Sequence, residues 1–184
     1  MKTEDSIFLQ ALNKKPLSTP PIWYMRQAGR YMPEYRAVRK NFKNFLDMRK
    51  NSDVCCELAM QPIDAFDLDV AILFSDILTI PDAMGLGVQF LEGEGPVFEN
   101  PIKTSKDVMD IHTFDPDKLS YVYKAVSNIK SALPKNIPLI GFSGSPWTLA
   151  AYSIEGRSSK SFEFTKNFIK HNEKEAHIFL QKLT

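Results

Sequence analysis

Short unbroken apolar runs alternate along this chain with longer stretches whose apolar residues recur at helical spacing. Asp69-Val-Ala-Ile-Leu-Phe74 is a continuous apolar run of strand length, the mark of a strand buried on both faces, and it ends in Ser75-Asp76. Pro138-Leu-Ile-Gly-Phe142 reads the same way, and Ile22–Met25, delivered in extended form by Pro20-Pro21, reads as a first strand. Helices are predicted over Glu4–Asn13, Pro33–Asn41, Ser52–Phe66, Asp117–Leu133, Ser143–Glu155, Ser159–His171 and from Glu173 onward. The third of these is expected to be capped by Ser52 or Asp53 and kinked at Pro62. The turn-rich stretch from Gly85 to Pro101 predicts a hairpin of Val88–Leu91 with Gly95–Phe98.

Strands joined through helices imply parallel βα units, hence an α/β fold. A doubly wound sheet usually carries G-x-G-x-x-G after a strand, which is missing here. A (β/α)8 TIM-type barrel needs no such fingerprint and collects its chemistry on the loops that follow the strands. Three chemically suggestive segments lie at such places: Arg26 to Arg30, Asp76, and Ser143 to Tyr152. A complete barrel takes ~250 residues, more than the 184 of this chain.

Composition narrows the partners. With 43% hydrophobic and 11% aromatic residues the chain can bury one sizeable core, and its formal charge of +1 offers no overall field for nucleic acid. No apolar run approaches the ~20 residues of a membrane span, and the amino terminus lacks a signal-peptide pattern, so the expected location is the cytoplasm. Cys55 and Cys56 are adjacent, unlike disulfide or zinc patterns, and are read as reduced core residues. Asp64, Asp67 and Asp69 straddle a helix end and a strand start, while His112, His171 and His177 lack ligand spacing, so no metal site is expected.

The distinctive chemistry is arginine. Lysine is the chain's ordinary cation, with 17 copies, yet four of the six arginines, Arg26, Arg30, Arg36 and Arg39, fall within fourteen residues. The planar, always charged guanidinium grips carboxylates and phosphates two bonds at a time, which points to an anionic ligand. Arg26 and Arg30 flank Gln-Ala-Gly just past the apolar run, where a loop is expected and Gly29 permits close approach of the backbone. Arg36 and Arg39, three apart after Pro33, read instead as the basic face of a helix. Asp76 is either a fixed charge at the end of a buried strand or, with Ser75, the N-cap of the next helix. Tyr152 is either a pocket hydroxyl or a core tyrosine on an amphipathic helix.

Pro21-Ile-Trp-Tyr-Met-Arg-Gln-Ala-Gly-Arg-Tyr-Met-Pro-Glu-Tyr-Arg36 resembles the amino-terminal signature of the uroporphyrinogen decarboxylase family. Gly141-Phe-Ser-Gly-Ser-Pro-Trp-Thr-Leu-Ala-Ala-Tyr-Ser-Ile-Glu-Gly156 resembles its second signature, and Phe74-Ser-Asp-Ile-Leu78 the segment carrying its central aspartate. The resemblance implies that residues 1–184 are the first part of a single barrel domain, truncated at the carboxyl end. It further implies cofactor-free removal of CO2 from the four acetates of uroporphyrinogen III, giving coproporphyrinogen III, by a homodimeric enzyme of haem biosynthesis. It assigns Asp76 to stabilise charge, Arg26 and Arg30 to hold carboxylates, with Arg26 also discussed as proton donor, and Gln27, Ala28, Gly29 and Tyr152 to contact substrate. Two alternatives stay open: a zinc-dependent corrinoid methyltransferase of the same superfamily, and a non-catalytic tetrapyrrole-binding fragment.

Overall fold

The computed structural model describes residues 6–25, 27–91, 94–112 and 115–184, which divide into two compact units. The first runs to Ser75 and resumes at Tyr121–Phe142. Its helices are α1 (Ile7–Leu12), α2 (Pro33–Arg39), α3 (Phe45–Arg49) and α4 (Ser52–Ala65), followed by β1 (Ala71–Ile72). The long helix α7 (Ser120–Ala132) then leads to β4 (Leu139–Ile140).

β1 and β4 pair in parallel, Ala71 opposite Leu139 and Ile72 opposite Ile140, as the buried runs and intervening helices predict. Two apolar clusters flank this pair. Met32, Tyr35, Val38, Met48 and Leu58 form one, with Phe45 edge-on to Phe74 at 6.1 Å between ring centroids. Cys55, Ala59, Leu73, Ala125 and Ile129 form the other. Burial pushes the Cys55 thiol up to about 12 against the opposing Arg49 charge and raises that of the half-buried Cys56, and both are free cysteines packed with this cluster.

Several local expectations are corrected. Ile22–Met25 forms no strand ladder, and its side chains are exposed, Tyr24 at 58% and Met25 at 78%. Only Ile22 runs beside the sheet, accepting from Asp69 N–H at 3.0 Å and donating its own N–H to Asp69 Oδ2 at 2.7 Å. The N-cap of α4 is Asn51, whose Oδ1 accepts from Asp53 and Val54 N–H, and Pro62 lies inside the helix. The first helix begins at Ile7 behind its cap Ser6, and the expected start at Glu4 lies outside the described residues.

The second unit comprises Asp76–Ser120 and Ser143–Thr184. It holds a short turn of helix, α5 (Thr79–Pro81), running into a wider turn at Asp82–Leu86, and then the hairpin β2 (Val88–Leu91) and β3 (Gly95–Phe98). The hairpin has the register Val88 opposite Phe98, within the predicted limits. α6 (Ser105–Asp110), α8 (Pro146–Glu155), α9 (Glu163–His171) and α10 (Glu173–Lys182) complete the unit. One cluster, including Leu78, Met84, Val108, Leu149, Ile154, Phe168 and Phe179, is its core.

Helix α6 is a finding beyond the sequence reading. Its signal was present in Thr104-Ser-Lys-Asp107, because Thr104 and Asp107 form a reciprocal capping box. At its far end Lys182 Nζ donates to the carbonyls of Val108, Met109 and Ile111, satisfying groups that the helix leaves open and tying α10 to α6.

Candidate active site

The arginine loop lies in the first unit. Arg26 lies outside the described residues; Gln27, Ala28, Gly29 and Arg30 form a compact bend closed by Met32 N–H on Gly29 O at 3.0 Å. Gln27 is 2% exposed. Its side-chain Nε2 donates to Val70 O at 2.7 Å, and its Oε1 accepts from Ile72 N–H at 3.0 Å. The sequence reading gives Gln27 a neutral hydrogen bond to the ligand. In the structure both ends of that amide are engaged with the β1 backbone, on an edge that no strand of the described residues covers.

Two further side chains hold the bend: Tyr31, which the sequence reading passed over, and Arg36, which it placed on a helix face. Tyr31 Oη donates to Gln27 O, and partial desolvation of this half-exposed ring, with Tyr24 adding to it, raises the phenol above its ordinary value. Arg36 Nη1 donates to Arg30 O at 2.7 Å and to Tyr31 O at 3.1 Å. Arg36 lies on the exposed face of α2, as expected, and also braces the loop, while Arg39 Nη1 donates to Phe42 O at 2.7 Å. The clue to both was the number of open carbonyls in a tight loop followed by a helix bearing long forked donors. Gly29 stands where a Cβ would lie 3.3 Å from the Tyr31 ring, so the residue serves this packing.

Arg30 itself is exposed, and among the described residues its guanidinium makes no hydrogen bond or ion pair. It thus presents a charged fork on a backbone that its neighbours hold fixed. Such a group suits a carboxylate arriving from solution, since little of its loop remains to be ordered on binding.

Asp76 and Tyr152 belong to the second unit. Asp76 Oδ1 accepts Leu78 N–H at 2.6 Å, a turn that starts the chain toward α5. Asp76 is not the helix cap that the sequence offered as an alternative: α5 has Leu78 at its N-cap with no side-chain cap hydrogen bond, and the Asp76 carboxylate shapes the turn ahead of it. Tyr152 is half-buried on α8, and its ring meets Phe162 edge-on at 5.9 Å with planes at 90°. α8 starts with Pro146 in its first turn and ends at Gly156 with φ 87°, a left-handed stop that suits glycine. Just before it, a Cβ on Gly144 would lie 2.5 Å from Leu149 Cδ2, so the Ser143–Ser145 loop closes over the core only because residue 144 lacks a side chain. No helix of the described residues is long and apolar enough to cross a membrane.

Comparison with known proteins bears on what this arrangement serves. The family model described as uroporphyrinogen decarboxylase (URO-D) matches residues 3–184. The uroporphyrinogen decarboxylase of Vesicomyosocius okutanii subsp. Calyptogena okutanii is 58% identical over 177 residues, 96% of this chain and 51% of that protein. That of Legionella pneumophila (strain Corby) is 53% identical over 182 residues, 97% of this chain and 51% of the relative. The chain spans about half the length of the curated relatives it matches. Among solved structures, a methyltransferase from Methanosarcina mazei aligns with a TM-score of 0.73 over 100% of this chain and 52% of its own, at 17% identity. That likeness speaks to fold alone, and it agrees with the parallel βα units in placing the chain in the TIM-barrel class. With the family match running through both the arginine loop and α8, the chain belongs to the uroporphyrinogen decarboxylase family.

Proposed function

We propose that residues 1–184 are the amino-terminal part of a uroporphyrinogen decarboxylase, a carboxy-lyase that converts the four acetates of uroporphyrinogen III to methyl groups, giving coproporphyrinogen III. The observation that carries this reading is Arg30: an exposed guanidinium without a partner among the described residues, on a loop whose backbone is braced by Gln27, Tyr31 and Arg36. A ligand with eight carboxylates calls for fixed cationic forks of this kind. Identity of 52–58% to proteins named for this activity supports it.

The chemistry follows from the substrate. Losing CO2 from an acetate leaves an electron pair that needs a sink, and the electron-rich pyrrole provides one. A proton added to a ring carbon beside the acetate-bearing position makes an iminium-like cation. The bond between the acetate methylene and its carboxylate then breaks, CO2 departs, and the released pair neutralises the cation as an exocyclic double bond. Protonating the exocyclic carbon and returning the ring proton leaves a methyl group, with one proton consumed per acetate.

The protein has three tasks: fixing the non-reacting carboxylates, stabilising the cation, and supplying protons. Arg26 and Arg30, with the backbone of Ala28 and Gly29 in the same loop, serve the first, Gln27 acts only by holding that loop to the sheet, and Tyr152 adds a hydroxyl. Asp76 serves the second, through a negative charge near the pyrrole N–H groups. Arg26 is a poor general acid by its pKa, so we assign it to binding and charge coupling with the reacting acetate. The reaction needs no added cofactor because the protonated ring accepts the electrons. By family resemblance the whole enzyme is a cytoplasmic homodimer.

The test is to join residues 1–184 to the carboxy-terminal half of the Legionella pneumophila relative and supply uroporphyrinogen III. Products bearing seven to four carboxylates should accumulate in succession. A folded chimera without turnover, beside an active parent relative, overturns the reading.

A further inference from the structure

We propose that Gln27 is a positioning residue for the arginine loop, its side-chain amide standing in for a missing strand on the outer edge of β1. This inference rests on the reading of that loop as a carboxylate-binding element. One edge of β1 is satisfied by β4, through Ala71 N–H on Pro138 O and Leu73 N–H on Ile140 O, both 3.0 Å. Val70 O and Ile72 N–H face the other way, where Ile22 meets Asp69 but no strand ladder of the described residues follows.

A residue in a parallel strand engages the carbonyl of residue i and the N–H of residue i+2 on its neighbour. The Gln27 amide engages that same pair, Val70 O at 2.7 Å and Ile72 N–H at 3.0 Å. A carboxamide has the donor and acceptor of a peptide unit, so it completes the ladder, and burial at 2% exposure makes both bonds obligatory. The latch also has a direction: the NH2 must meet the carbonyl and the oxygen must meet the N–H.

Its position in the loop matters. Tyr31 Oη closes the bend onto Gln27 O, and Arg36 holds Arg30 O and Tyr31 O. Gln27 is thus where a bend braced internally is attached to the sheet, and Arg26 precedes it in the chain. Detaching the amide leaves the bend intact but frees its orientation, which should weaken the grip on substrate carboxylates without removing any charged group.

The experiment uses the same chimera with Gln27→Glu and Gln27→Met. When ionised, the glutamate sets a carboxylate oxygen against Val70 O, and KM for uroporphyrinogen should rise about tenfold or more while kcat stays within roughly threefold. When protonated, its O–H donates to Val70 O and its C=O accepts from Ile72, so KM should return toward wild type as pH falls. Burial raises that carboxyl above the ordinary value of about 4.3, bringing the return into a measurable range. Gln27→Met should raise KM at every pH. Amide exchange at Ile72 in the unsubstituted protein gives a readout that needs no variant and should be slow. Rapid exchange at Ile72, or a Gln27→Glu protein with wild-type KM at high pH, overturns the proposal. An unsubstituted chimera without turnover counts against the decarboxylase reading instead.

Discussion

The Asp76 carboxylate accepts the backbone N–H of Leu78 at 2.6 Å, so one oxygen of the candidate catalytic residue also shapes the turn into α5. The turn and the proposed charge role are therefore separable. An asparagine keeps an oxygen for Leu78 but carries no charge, so Asp76→Asn should leave the fold and substrate affinity nearly intact while turnover falls on the order of a hundredfold. Steady-state kinetics on the chimera, beside its thermal unfolding, decide it. A wild-type rate would falsify the electrostatic role and leave Asp76 a turn residue.

Arg30→Lys should weaken substrate binding about tenfold, because an ammonium keeps the charge but not the two-pronged contact. Arg36→Met should act more gently and by another route, raising KM a few-fold as the loop carbonyls lose their donor, with Arg36→Lys partly restoring them. Equal effects of Arg36→Lys and Arg36→Met would show that the bonds to Arg30 O and Tyr31 O do not govern the loop.

Asp107 yields a pH prediction. Its carboxyl is held below the ordinary 3.8, chiefly by the Lys103 N–H, opposed by partial burial and aided by the Thr104 N–H and hydroxyl. A carboxyl depressed in the folded state contributes stability that is fully present above its unfolded value and is lost as pH falls through the folded one. Asp107→Ala should therefore cost about 1 kcal/mol at neutral pH, as removal of a capping interaction does. The difference from wild type should shrink below about pH 4. Denaturant midpoints for the two chimeras at pH 7 and pH 3 test this, and a constant difference would be inconsistent with it.

Exposed apolar residues make a prediction for the 184-residue chain by itself. A simple reading of its last helices puts Phe162, Phe164, Phe168, Ile169, Phe179 and Leu180 in solvent. In the structure Phe168 and Phe179 are instead buried in the core of the second unit, at 4% and 0% exposure, and only Phe164 of the six is exposed. The exposed apolar run is Ile22 to Met25. The chain should therefore self-associate through that run, and Tyr24→Lys with Met25→Lys should shift its sedimentation toward monomer. An unchanged sedimentation profile would place the association elsewhere.

Decarboxylation by the chimera should survive exhaustive chelation and dialysis without added metal or organic cofactor, since the pyrrole ring serves as the electron sink. Activity lost on chelation and restored by zinc would point to the alternative methyltransferase chemistry.

The sequence alone determined much that depends on neighbours in the chain. The buried runs around Ala71 and Leu139, the Val88–Phe98 hairpin, the Pro146 start and Gly156 end of α8, and the family signatures all rest on periodicity, turn chemistry or motif spacing, which are local properties. Tertiary structure decided what those residues meet. Ile22–Met25 has a strand's composition, yet it forms no ladder, because a ladder depends on a partner's backbone being within reach. Gln27 looked like a ligand contact, but the open groups of the β1 edge claimed its amide, and Arg36, exposed on its helix as expected, also gave a hydrogen bond to the bend. A buried main-chain group must find a partner wherever the fold supplies one, and a linear pattern does not say from which distant residue that partner comes.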